Sequence, residues 1–346
     1  MADFPRLDVD RRRELLAPPE GPVDVVIDTD VTNEIDDQFA LVWAALRPDR
    51  IRIRGLHACP YALSPELVRS GALLTELDQR RIEGTLDQLG ITVDQIPELT
   101  PAEGVERARA ELDSLCGRLD LDTALVRTGA DRFLPSEAEP VVSEATEHLI
   151  ELARASTDPL QVIAIGAATN VASALLAAPD LVEQIVVTWT SAHPSFWPFA
   201  NASYNLAQDL YSVRVVLDSG VPLVYLPGYY VGEKIRVSRP EMVDLVKGRG
   251  PLGDYLFELY DGHPLTGEHH AHSKVLWDMV NVAWLLDPGW FTTHLTPTPQ
   301  LGADLHWQHD LDRHEMREAV DCDRDAMFAD LAACLERAAD GLAPPT

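Results

Sequence analysis

Short runs of β-branched and apolar residues alternate along the chain with longer stretches whose apolar positions recur every three or four residues. Six runs read as strands: VDVVIDT (Val23 to Thr29), IRIRGLHA (Ile51 to Ala58), ALVRTG (Ala124 to Gly129), QVIAIG (Gln161 to Gly166), QIVVTW (Gln184 to Trp189) and VPLVYLP (Val221 to Pro227). Between them, Ile35 to Leu46, Val141 to Ala155 and Asn170 to Ala178 read as amphipathic helices. Apolar strands separated by helices predict an α/β domain with a mostly parallel, Rossmann-like central sheet flanked by helices on both faces. Ligands of such sheets bind beyond the carboxyl ends of the strands, which directs attention to the residue that follows each run.

Two stretches break the alternation. Residues 64–122 carry helical patterns without a clear strand and read as a helical insertion over the sheet edge. GHPLTGEHHAHS, from Gly262 to Ser273, is polar and His-rich and reads as a loop before the helix KVLWDMVNVAWLL. His263, His269, His270 and His272 in it are read as solvated imidazoles rather than a transition-metal site. With no repeat or linker, the organisation expected is an N-terminal extension, residues 1–20, and one domain over residues 21–340.

Charge narrows the partners. The 346 residues include 28 Lys+Arg against 56 Asp+Glu, a formal net charge of −28 at pH 7. A field of that sign repels phosphate backbones and anionic lipid, so neither nucleic acid nor membrane is an expected partner. No run approaches the roughly 18 apolar residues of a membrane span. Charges and prolines stand in the opening segment where a signal peptide needs an apolar stretch. Cys59, Cys116, Cys322 and Cys334 are scattered without CxxC spacing, which suits a reducing compartment and a cytoplasmic protein. Only Lys234, Lys247 and Lys274 are lysines, all other cationic side chains being Arg, a bias read as compositional.

The chemistry concentrates after the first strand, where DTDVTNEIDD places Asp28, Asp30, Glu34, Asp36 and Asp37 within ten residues ahead of a helix. Carboxylates this dense repel one another unless a hard cation or protons relieve them. Local capping by Asp28 and Asp36 accounts for one or two of them, not for the set.

Two families fit this opening. Asp28-Thr-Asp30-Val-Thr32 resembles the DxDxT of haloacid-dehalogenase-type phosphohydrolases, but Asp36-Asp37 then has no role and no GDxxxD element follows. IDTDVTNEIDDQFAL more closely resembles the DxDxxxDD of the inosine-uridine-preferring nucleoside hydrolases, with two extra residues before the Asp pair. IAIGAATNVASALL (Ile163 to Leu176), SYNLAQD (Ser203 to Asp209), LDSGVPLVYLPG (Leu217 to Gly228) and LWDMVNVAWLLDP (Leu276 to Pro288) resemble later elements of that family, in the same order.

The resemblance implies the nucleoside hydrolase fold and calcium-dependent hydrolysis of a nucleoside to free base and ribose. It implies a Ca²⁺ ion held by Asp30, Asp37, the main-chain carbonyl of Ile165 and Asp278, with Asp278 also facing the substrate. Asp30 is implied as general base, Asp36 as partner of the ribose 2′-hydroxyl and Asn205 as a further sugar contact. Trp277, before Asp278, resembles the aromatic that purine-specific members stack on the leaving base, so a purine nucleoside is the expected substrate. A homo-oligomer, dimer or tetramer, is implied as well.

The chain also departs from that pattern. The family's Asn after the second strand is absent from HACPYALSPE, Ser203 stands where the family has Glu, and Trp197 where it has Asn. Sugar recognition at the 5′ end is therefore expected to differ, with His193 a candidate replacement contact or acid. Two alternatives stay open at this point: a protein of the same fold that binds nucleoside or ribose without turnover, and the phosphohydrolase.

Overall fold

The structure is a computed structural model and describes all residues except 1–2, 66–83, 85, 88–89, 202, 264–272 and 343–346. Its strands are β1 (Val23–Thr29), β2 (Ile51–Ala58), β3 (Val126–Thr128), β4 (Leu160–Ala164), β5 (Ile185–Ser191), β6 (Leu223–Pro227), β7 (Arg236–Ser238), β8 (Ser273–Val275), β9 (Phe291–Pro297), β10 (Gln300–Leu301), β11 (Trp307–Gln308) and β12 (Glu315–Cys322). Eight of them form one sheet in the order β3-β2-β1-β4-β5-β6-β12-β9. All neighbours in it are parallel except β12 and β9.

Alternation along β1 sets up the layers. Val25 and Ile27 enter one hydrophobic core and Val26 the other, so each face of the sheet carries its own cover of helices. The helix Asp36–Ala45 is almost wholly buried, from Asp36 to Ala44, which its nearly uniform apolar sequence permits. Leaving β1, the chain builds β2 and β3 on one side, then returns to lay β4, β5 and β6 on the other. The crevice between the carboxyl ends of β1 and β4 is thus the switch point at which sheets of this kind bind ligands.

The six expected strands match β1 to β6 within two residues at each end. β9 and β12 extend the sheet beyond them. The late segment differs from its expectation: Ser273–Val275 pairs antiparallel with β7 as β8, and the helix begins only at Met279. Pairing with β7 satisfies the backbone of Ser273 to Val275 that a longer helix would otherwise have used.

Within residues 64–122, the helix Pro101–Leu119 starts in a Thr100–Glu103 capping box and buries Val105, Ala108, Leu112 and Leu115. The expectations for His269, His270 and His272 lie outside the described residues. At the N-terminus, the helix Val9–Leu15 is docked: the buried Arg12 guanidinium donates to the Gly220 carbonyl at 2.7 Å, and Leu15 and Leu16 join the core. Among the described residues no helix is long and apolar enough to cross a membrane.

Candidate active site

Asp30 follows β1 directly, residues 31–35 form a loop, and Asp36 and Asp37 open the next helix. Each carboxylate is tied to its surroundings. Asn33 Nδ2 donates to Asp30 Oδ2 at 3.2 Å, the Thr29 hydroxyl donates to Asp37, and the Trp277 backbone N–H donates to Asp36 Oδ2 at 3.0 Å. Asp278 precedes the helix Met279–Leu286 without capping it, which leaves its carboxylate to face the crevice. Carboxylate oxygens of Asp36, Asp37 and Asp278, all buried, lie within 4.8 Å of one another. From β4, the Ile165 N–H donates to the Asp28 carbonyl at 2.9 Å, and the Ile165 carbonyl accepts from Asn205 Nδ2 at 2.9 Å. Gly166 is required here, because a Cβ on it would lie 2.2 Å from Cys59 Sγ and 3.0 Å from the Asp30 nitrogen.

A helix N-terminus stabilises a carboxylate by about 0.3–1 kcal/mol, whereas withdrawing one from water costs several kcal/mol. Burial wins at this site. It pushes Asp36 up to about 6 even with Lys274 pulling the other way, and Asp28 up to about 7 despite the 2.7 Å bond from Asn170. Burial, then repulsion from Asp37 and Asp36, holds Asp30 well above the ordinary carboxylate range; Asp37 and Asp278 are raised the same way, with Asp36 the leading repulsive neighbour. Lys274 is the cation facing this cluster, ion-paired with Glu34. Burial disfavours its ammonium, but Glu34 and Asp36 outweigh that and raise its pKa.

Asp30, Glu34, Asp36, Asp37 and Asp278 line one cleft of about 180 Å³. Residues at the ends of β5 and β6 line it as well, and Tyr229, after β6, together with Trp277, directly ahead of Asp278, gives it an aromatic wall. Trp277 and Tyr229 line it with ring centroids 5.6 Å apart at 66°. Behind Tyr229, His193 is stacked between Tyr229 (4.1 Å, 11°) and Trp197 (4.4 Å, 11°). The Ser203 hydroxyl is occupied by the Ser191 hydroxyl and the Ala192 N–H.

An all-oxygen set of buried carboxylates and a main-chain carbonyl suits a hard divalent cation. Asp36 Oδ1, buried without a hydrogen-bond partner, is the kind of orphaned acceptor that a ligand hydroxyl or a cation would satisfy. The family model described as inosine-uridine preferring nucleoside hydrolase matches residues 25–329. The chain belongs to this family. The reaction class that goes with membership is hydrolysis of the N-glycosyl bond of a nucleoside.

Relatives of this hydrolase differ in the base they are named for. The pyrimidine-specific ribonucleoside hydrolase RihA of Enterobacter sp. (strain 638) is 29% identical over 164 residues, 45% of this chain and 51% of that protein. RihA of Salmonella typhimurium is 27% identical over 283 residues, 78% of this chain and 81% of that protein. The chain thus spans about half the length of the first and four fifths of the second. Among solved structures, the purine-preferring ribonucleoside hydrolase from Gardnerella vaginalis superposes with a TM-score of 0.65 at 16% identity, covering 91% of this chain and 99% of its own. An inosine-guanosine nucleoside hydrolase gives 0.64 at 16% identity, covering 90% and 98%.

Within the fold of this hydrolase, Asp30, Asp36, Asp37, Ile165, Ser203, Asn205, Trp277 and Asp278 all line the one cleft. His193 and Trp197 do not line it; their rings stand behind Tyr229. Sequence reasoning missed Tyr229, Asn33 and Lys274. Of these, Lys274 left a signal: it is one of three lysines in the chain, four residues before Asp278.

Proposed function

We propose that this hydrolase cleaves a purine nucleoside, with Ca²⁺ held by Asp30, Asp37, Asp278 and the main-chain carbonyl of Ile165. The observation that carries this reading is the convergence of four buried carboxylates and the Trp277 ring on one cleft. When bound, calcium supplies a template for the ribose hydroxyls and a lowered pKa for an attacking water.

The chain's own residues supply the rest. Asp30, steadied by Asn33, takes the proton of the attacking water, and the free Asp36 Oδ1 accepts from the ribose 2′-hydroxyl. As the glycosidic bond lengthens, the anomeric carbon gains positive charge, and ionised carboxylates at the cleft floor stabilise it. Trp277 offers its face to the departing heterocycle, with Tyr229 beside it. His193 acts through Tyr229, bracing that wall rather than touching substrate. A stacked aromatic contributes about 1–3 kcal/mol in base recognition, and the larger purine face gains more of it.

The relatives' names divide between pyrimidine and purine, so the substrate must be read by experiment. A panel of nucleosides is incubated with the metal-loaded protein, with and without chelator, and free base is scored by chromatography. Chelator-sensitive base release from inosine or guanosine is the expected result. Release from uridine alone overturns the purine assignment; nucleoside binding without release makes the chain a binding protein, and phosphate release from phosphate esters makes it a phosphohydrolase. We also place the enzyme in the cytoplasm, in keeping with four free cysteines, and as a homo-oligomer, which light scattering tests.

A further inference from the structure

The loop of residues 31–35 crosses the carboxylate cluster and is held at three places. Asn33 bonds Asp30 twice, through its backbone N–H to the Asp30 carbonyl at 2.9 Å and through Nδ2 to Oδ2 at 3.2 Å. The Thr32 hydroxyl meets the Tyr61 hydroxyl at 2.8 Å, and Glu34 is ion-paired with Lys274. Thr32 has φ +89°, a conformation that a β-branched residue holds only when its surroundings impose it. Lys274 is 4% exposed and sits on β8, whose register with β7 sets Lys274 opposite Val237. It does not line the cleft, whereas Glu34 and Asn33 do. A buried ammonium is costly unless paired, and this one reaches from a two-stranded sheet to Glu34 of the loop.

We propose that the Lys274–Glu34 ion pair is a positioning device of the site: it pins residues 31–35 so that Asn33 holds the Asp30 carboxylate in its working orientation. This rests on the reading of Asp30 as metal ligand and base. A plainer role is conceivable on charge grounds, in which Lys274 only offsets the surrounding carboxylates, and the two roles predict opposite signs. Removing a nearby positive charge tightens a divalent cation on its carboxylates. Loss of the pin loosens it, because Asp30 is no longer held.

The test uses the full chain with Lys274→Met, Glu34→Gln, the double variant and Asn33→Ala, each checked for folding by thermal melt. On metal-stripped protein, calorimetry with Ca²⁺ should show Lys274→Met and Asn33→Ala weakened at least tenfold. With inosine, kcat should fall at least tenfold in Lys274→Met while KM changes less than threefold, and the double variant should be no worse than the poorer single one. Amide exchange in metal-free protein should accelerate at residues 31–35 in Lys274→Met and in Glu34→Gln, with β1 unchanged. Unchanged or tighter calcium binding in folded Lys274→Met, or unchanged exchange in the loop, overturns the proposal. If Lys274→Met does not fold, exchange in Glu34→Gln reads the same contact from the loop side. A parent protein that neither binds calcium nor releases base overturns the functional reading instead, and the exchange measurement needs neither property.

Discussion

The backbone N–H of Trp277 donates to Asp36 Oδ2 across 3.0 Å, joining the late segment that carries Asp278 to the helix Asp36–Ala45. The bond uses the main chain, so the indole remains available to the cleft. Substitution of the ring leaves the bond in place.

Trp277→Ala is therefore a clean probe of stacking. Losing about 1–3 kcal/mol of base recognition in the transition state corresponds to a fall of roughly five- to 160-fold in turnover. Steady-state kinetics with inosine should show that fall, while calcium affinity by calorimetry stays within threefold of the parent. A loss in calcium affinity as large as the loss in turnover would make Trp277 a support for the metal site instead.

Asp37→Ala should abolish calcium binding, read by calorimetry and by elemental analysis of dialysed protein. It should not unfold the chain. In metal-free protein Asp37 is buried beside Asp36 and raised by burial and repulsion, so deleting it removes an unfavourable charge. The metal-free variant is expected to melt no lower than the metal-free parent; a fall of ten degrees or more would show that Asp37 holds the helix in place.

Sugar specificity should be relaxed at the 5′ end. The Ser203 hydroxyl is occupied by Ser191 and the Ala192 N–H, and Trp197 is stacked on His193 away from the cleft lining. A site built to bind a hydroxyl rejects analogues lacking it by large factors, because its own polar groups are left unpaired. No such penalty is expected here. The ratio of kcat/KM for 5′-deoxyinosine to that for inosine should be one or more, and a tenfold preference for inosine would reveal a 5′-hydroxyl contact made elsewhere.

A pH effect on stability should come from the far side of the sheet. His57 is fully buried with Nε2 2.9 Å from His148 Nδ1, and a Cβ at Gly55 would crowd both rings at 3.0 Å. Burial, then the neighbouring His148 and Arg127, depress His57 to about 3. The unfolded chain thus binds a proton below about pH 6.5 that the folded chain refuses, so stability is lost as pH falls from there toward 3. Each such group steepens the loss by about 1.4 kcal/mol per pH unit. Urea titrations between pH 7 and 5 should show a smaller loss in His57→Gln than in the parent.

Much of the architecture was legible because β4, β5 and β6 are buried on both faces and read as continuous apolar runs, while β1 and β2 match to the residue although Arg52 and Arg54 of β2 are exposed. β9 was not, since FTTHLTP lies at the edge of the sheet, is only partly buried and carries just Phe291 and Leu295 as large apolar side chains among threonines and a histidine. The carboxylate cluster was legible from local density alone. Lys274 was not, because its partner Glu34 is 240 residues away along the chain. Tyr229 escaped for a similar reason: in GYY nothing local separates the ring that lines the cleft from Tyr230, which is 44% exposed. His193, two residues past the end of β5, reads from the sequence as a chemical group, but two flat neighbours enclose its ring.

The aromatic wall also gives the protein an optical reporter. Of seven tryptophans, Trp277 is the one that lines the cleft, and the other six stand elsewhere in the fold. A heterocycle laid on that indole would quench its emission without dyes or labels. Occupancy could then be followed in real time by stopped-flow fluorescence, with Trp277→Phe as the dark control.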